Sequence, residues 1–94
     1  MAKPQEFSAA LARAVAYLEK RDWQAAHEIV QDDKSALAAW LHGIVHTLEG
    51  DLENARYWYR RARREFRGPE AVATEIGEAR RALDGGARPA KGRA

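Results

Sequence analysis

The stretch from Trp40 to Phe66 reads WLHGIVHTLEGDLENARYWYRRARREF, and it constrains the fold more than any other part of the chain. Before its Gly50-Asp51 pair, Leu37, Leu41, Ile44 and Leu48 recur at steps of four, three and four. After the pair, Leu52, Ala55, Tyr59, Ala62 and Phe66 recur at three, four, three and four. Each series is one apolar stripe on an α-helix. Gly tolerates the left-handed conformation that closes a helix C-terminus. Asp accepts the free backbone N–H groups of the next first turn. A link this short forces antiparallel neighbours, so the stretch predicts a helical hairpin.

The flanking sequence continues in the same register. Phe7, Leu11, Ala14 and Leu18 share a face of a first helix running from Pro4 or Ser8 to Lys20. A second helix is predicted from Trp23 to Gln31, capped by Asp22, with Ala26, Ile29 and Val30 inward. The third runs from Ser35 to Glu49 with Ser35 or Asp33 as its cap; Trp40 and Val45 widen its stripe and make it the most buried. The fourth follows Asp51 and reaches Phe66. The fifth runs from Pro69 to Asp84 with Val72, Ile76, Ala79 and Leu83 inward and Glu70, Glu75, Glu78, Arg80 and Arg81 on its other faces, as a polar cap on a stack. No alternating strand pattern occurs. The expected fold is all-α, with about five helices stacked as antiparallel hairpins.

With 94 residues and no cysteine, the chain is expected to form one domain without disulfides or thiolate metal sites. Residues 1–84 form that domain, and 85–94, which lack a large apolar side chain, are expected to be a flexible basic tail. No targeting segment or membrane-length apolar run is visible, so the expected location is the cytoplasm, with no membrane partner. Charge is asymmetric. Residues 1–52 carry five Lys/Arg against eight Asp/Glu, and residues 53–94 carry eleven against six.

Two segments, Ala10 to Val30 and Ala39 to Tyr59, are self-similar at an offset of 29. Ala14 aligns with Gly43, Asp22 with Asp51, Trp23 with Leu52, Ala26 with Ala55 and Val30 with Tyr59. The small residues let helices approach, the Asp caps, and the large residue after it staples the turn. With Gly43, Gly50, Asp51, Leu52, Ala55, Tyr59 and Ala62 at these spacings, the second unit resembles the tetratricopeptide repeat family. The resemblance implies a right-handed superhelix of α-α hairpins that binds other proteins, with Leu37, Trp40, Ile44 and Thr47 on its inner concave surface. The string HGIVHTLEGDLENARYWYRR is also similar to one in a group of bacterial and fungal helical proteins, which implies no activity.

Three sets of residues could carry binding. Trp40, Ile44 and Thr47 would offer an apolar groove to an amphipathic helix, an extended peptide or a second copy of the chain. Arg56, Arg60, Arg63 and Arg67 step by four, three and four along the fourth helix, beside Arg64, Tyr57 and Trp58. This ridge could grip an acidic peptide or phosphates; the alternative is a solvated face with Glu53 and Glu65 as local partners. His42 and His46 lie one turn apart with Glu49 following, a set that could hold a divalent metal ion with Tyr57 nearby. The alternative is a pair of structural histidines bonded to the facing helix, with Asn54, Tyr57 or Tyr59 as partners. His27 reads as isolated and exposed.

Nothing in the sequence supports catalysis: there is no Cys nucleophile, no Ser in a glycine-rich elbow, and no phosphate-binding glycine loop. The expectation is a non-enzymatic scaffold without a cofactor. It would bind a protein or peptide of acidic character, or itself as a homodimer, through Trp40, Ile44, Thr47, Arg56, Tyr57, Arg60 and Arg63. Metal binding at His42, His46 and Glu49 is the alternative, and nucleic acid is the weakest reading because no known motif accompanies the arginines.

Overall fold

The computed structural model describes residues 4–85, with side chains from 9 to 84. Five α-helices and no strand occur among the described residues: α1 (Pro4–Glu19), α2 (Trp23–Val30), α3 (Ala36–Glu49), α4 (Leu52–Arg61) and α5 (Val72–Gly85), the last preceded by a 3-10 turn at Pro69–Ala71. The Phe7 side chain, and the predicted tail beyond Gly85, lie outside the described residues.

The two hairpins turn in the same way. At the end of α1, Asp22 N–H donates to the Tyr17 carbonyl at 2.8 Å and Arg21 N–H to Leu18 at 2.9 Å. At the end of α3, Asp51 N–H donates to His46 at 2.9 Å and Gly50 N–H to Thr47 at 3.1 Å. Both are Schellman closures with a left-handed residue, Arg21 at φ 64° or Gly50 at φ 95°. Each is followed by an Asp whose carboxylate caps the next helix, Asp22 accepting from Ala25 N–H and Asp51 from Asn54 N–H. Ser35 caps α3 through its hydroxyl, and Asp33 instead accepts from the Ser35 N–H at 2.9 Å.

α3 is the axis of the molecule. Every residue from Ala38 to Thr47 is buried, and α3 packs against α1, α2, α4 and α5. Close approach of α4 depends on Gly43: a Cβ there would stand 2.5 Å from Cδ1 and 2.6 Å from Cε1 of Tyr59. The aligned small residues Ala14, Ala26 and Ala55 are likewise fully buried.

Two expectations fail at the C-terminal side. α4 ends at Arg61, with Ala62 as its cap residue and Arg63 left-handed at φ 61°. Arg63 N–H and Arg64 N–H turn back to the carbonyls of Arg60 and Tyr59, both at 2.9 Å. The apolar step from Ala62 to Phe66 is therefore not one helical face. Glu75, expected on a polar outer face, is only 2% exposed. Its Oε1 accepts from Trp40 Nε1 at 2.7 Å and from the Tyr59 hydroxyl at 2.8 Å, tying α3, α4 and α5 together. Arg67 Nε stands 3.7 Å from Oε2. Burial first, then the hydrogen bond and charge of Glu75, push the Tyr59 hydroxyl above its ordinary range. α5 packs on α1 as well as α3, and Arg80 pairs with Glu19 of α1 at 3.0 Å.

Gly43→Ala should destabilise the fold by about 2 to 3 kcal/mol, since Tyr59 is anchored at its hydroxyl and cannot swing aside. Chemical denaturation followed by circular dichroism measures it. Glu75→Ala strands two buried donors and should cost about 3 kcal/mol or more, whereas Glu75→Gln keeps an acceptor and should cost about 1 kcal/mol. The difference between the two variants in the same assay tests the bridge.

Candidate functional site

The inner-groove residues come together, but not as an open surface. Trp40 is 1% exposed, Ile44 0% and Thr47 5%. α5 covers this side of α3, Glu75 bonds the Trp40 indole, and the Arg64 guanidinium lies 3.4 Å from the centre of the Trp40 ring. The Thr47 hydroxyl donates to the Gly43 carbonyl at 2.8 Å, a bond within its own helix. These three side chains, expected to meet a partner or a second copy, are thus buried within the chain itself.

The α4 arginines divide by position. Arg56 and Arg60 lie on the helix and are exposed, while Arg63 and Arg67 fall beyond its end, so the four do not form one helical ridge. Arg56 stacks 5.0 Å from the Phe66 ring centre. Arg67 turns inward to Glu75 and Glu78. Arg61, which the sequence reading passed over, lies 5.5 Å from the Trp58 ring centre and 5.8 Å from that of Tyr57. Among the described residues, Arg56, Arg60, Arg61, Arg63 and Arg64 form no ion pair, with Glu53, Glu65 or any other carboxylate. Tyr57 is 43% exposed beside them. Trp58 and Arg61 also wall a cleft of about 290 Å³ that reaches Lys34 and Ser35 at the start of α3.

The histidines form a cluster of three rather than a pair. α2 packs against α3 and brings His27, half-buried, to 4.8 Å from His42 and 5.5 Å from His46 between ring centres. His42 and His46, one turn apart on α3, stack at 4.9 Å and 23°. One ligating atom from each of the three histidines lies within 4.8 Å of the others. His27 is thus neither isolated nor exposed. A signal was available: Trp23, His27 and Val30 step by four and three, which puts His27 on the packed face of α2.

None of the three partners expected on the facing helix, Asn54, Tyr57 and Tyr59, hydrogen-bonds either histidine of the pair. His46 Nδ1 bonds Glu49 Oε1 at 2.7 Å on its own helix. The His42 ring lies flat against Trp58, 3.8 Å between centres and 7° apart. His42 is 4% exposed and its Nδ1 has no hydrogen-bond partner. Burial, followed by the neighbouring His46 and His27, lowers its pKa to about 4. Tyr59 bonds Glu75 instead, and Tyr57 takes a long bond of 3.4 Å from Arg61. Asp51 and Glu49 lie on the exposed side of His46, each with a ligand atom within 4.8 Å of it.

No helix among the described residues is long and apolar enough to cross a membrane. No family model, curated protein or solved structure matches the chain.

The lowered His42 pKa makes stability pH-dependent with a definite sign. The unfolded chain takes up the proton near the ordinary value of 6.5 and the folded chain only near 4. Stability is therefore complete above the unfolded value and is lost as pH falls through it. Between about pH 7 and about pH 5 the loss from this group should be about 2 kcal/mol. Denaturation midpoints across that range should fall for the natural chain and fall less for His42→Phe.

Proposed function

We propose that this chain is a non-enzymatic helical-repeat module that docks an acidic protein segment on the outer face of α4, in the cytoplasm. Tyr57, Arg56, Arg60, Arg61 and Arg63 form the contact surface. The observation that carries the reading is the lack of ion pairs: these arginines are exposed and paired with no carboxylate among the described residues, beside an exposed tyrosine. Guanidinium groups recognise carboxylates through charge-assisted, two-point hydrogen bonds. The cleft beside Trp58 is lined by Arg61 and Lys34 and also by Asp33, so the exposed arginines of α4, rather than the cleft, carry the attraction for an acidic segment.

The repeat supports a scaffold role. Two hairpins share a small-residue interface, a left-handed closure and an Asp cap at matching positions. This is the pattern that the tetratricopeptide resemblance implies. Docking moves from the inner groove of that family to the outer helix because α5 occupies the inner side. Homodimerisation through Trp40, Ile44 and Thr47 has no exposed surface to use.

Fluorescence anisotropy of a labelled Glu/Asp-rich synthetic peptide tests the proposal. The natural chain should bind it, and Arg60→Glu combined with Arg63→Glu should weaken binding by about tenfold or more, because each reversal swaps attraction for repulsion. Unchanged affinity in the variant overturns the reading. A single-stranded oligonucleotide that binds far more tightly than the peptide, with affinity falling steeply as salt rises, replaces it with nucleic-acid binding.

A further inference from the structure

We propose that His27, His42 and His46 bind one divalent transition-metal ion of the zinc type through their ring nitrogens, with Glu49 orienting His46 and a fourth coordination position open to solvent. This goes beyond the docking surface on α4 and does not depend on it. It also changes the ligand set suggested by the sequence: His27 from the neighbouring helix joins the pair, and Glu49 moves from ligand to supporting carboxylate.

The geometry assembles the set from two helices. His42 and His46 are fixed one turn apart on the most buried helix, and His27 reaches them from α2. Their candidate ligand atoms lie within 4.8 Å of one another. A tetrahedral ion with Zn–N bonds of about 2 Å needs nitrogens roughly 3.3 Å apart. Turning the imidazoles about their side-chain bonds must close the remaining distance, between His42 and His46 as well as to His27.

The chemistry of each ring fits a ligand. Glu49 engages Nδ1 of His46 at 2.7 Å, so Nε2 is the nitrogen of that ring available to an ion. A carboxylate behind a ligating imidazole fixes tautomer and orientation at metal sites. His42 is 4% exposed, and its Nδ1 is left without a hydrogen-bond partner. A buried polar atom with no partner carries a cost that a bound ligand removes. Imidazole donors favour zinc, copper, nickel and cobalt over magnesium or calcium.

The exposed group of His46, Glu49 and Asp51 is the competing location. It shares His46 but offers two carboxylates at the surface, and Glu49 is already engaged with the His46 ring. The two locations differ in whether His27 matters.

Isothermal titration of zinc chloride into the full chain, free of any affinity tag, should give one ion per chain and raise the melting temperature. Cobalt(II) should develop the visible absorption of a low-coordinate nitrogen site, and magnesium should do neither. His27→Ala should keep its helical circular dichroism and lose affinity by tenfold or more. Glu49→Gln should leave the metal-free melting temperature in place and lose about tenfold. His42→Ala is a poor test because that ring is packed against Trp58. Zinc binding that survives His27→Ala undiminished overturns the trihistidine set in favour of the carboxylate group. Absence of zinc and cobalt binding overturns the proposal outright.

Discussion

A single buried carboxylate organises the C-terminal half of this protein. Glu75 is buried, so its carboxylate depends on fixed groups: Oε1 accepts from the Trp40 indole of α3 and the Tyr59 hydroxyl of α4, while Oε2 has no hydrogen-bond partner and faces Arg67 at 3.7 Å. Burying a carboxylate is unfavourable unless such donors are held ready. The donors are held ready by packing: Trp40 lies in the core, and Tyr59 sits flat on the bare backbone of Gly43. The bridge therefore couples three helices whose apolar contacts alone would specify their relative rotation less sharply.

From that bridge follows which surfaces remain available. α5 must lie over α3 for Glu75 to reach its donors, and this removes the inner side of the hairpins from solvent. Elsewhere on the same helices other side chains stay nearer solvent. There α4 presents arginines beside Tyr57, and α2 meets α3 at the three imidazoles. Trp58 belongs to both regions, one ring neighbour being His42 and another Arg61.

Much of this architecture was legible in the residues. The α2 and α3 boundaries, the Asp22, Ser35 and Asp51 caps and the Gly50 stop follow from local periodicity and capping chemistry. What escaped has identifiable causes. The end of α4 carries neither Gly nor Pro, because Arg63 adopts the left-handed conformation that usually announces itself as glycine. Glu75 reads as solvent-facing, since the partners that accept it inside are 35 and 16 residues away. His27 sits among Gln24, Glu28 and Gln31, and that polar company hides its place on the packed face. The burial of Trp40 and Ile44 depended on where α5 folds, which no spacing within α3 encodes.

The joint after α4 differs from the one before α3. Shifting the sequence by 29, the offset between the two self-similar segments, places Arg64 where Ser35 stands, the residue whose hydroxyl starts α3. Arginine offers no acceptor for a first turn, and its guanidinium instead settles over Trp40. The backbone accordingly runs on without a helix until Pro69. Beyond that stretch α5 packs back on α1 and α3. Arg64, standing where a helix start would need an acceptor, closes over the core instead.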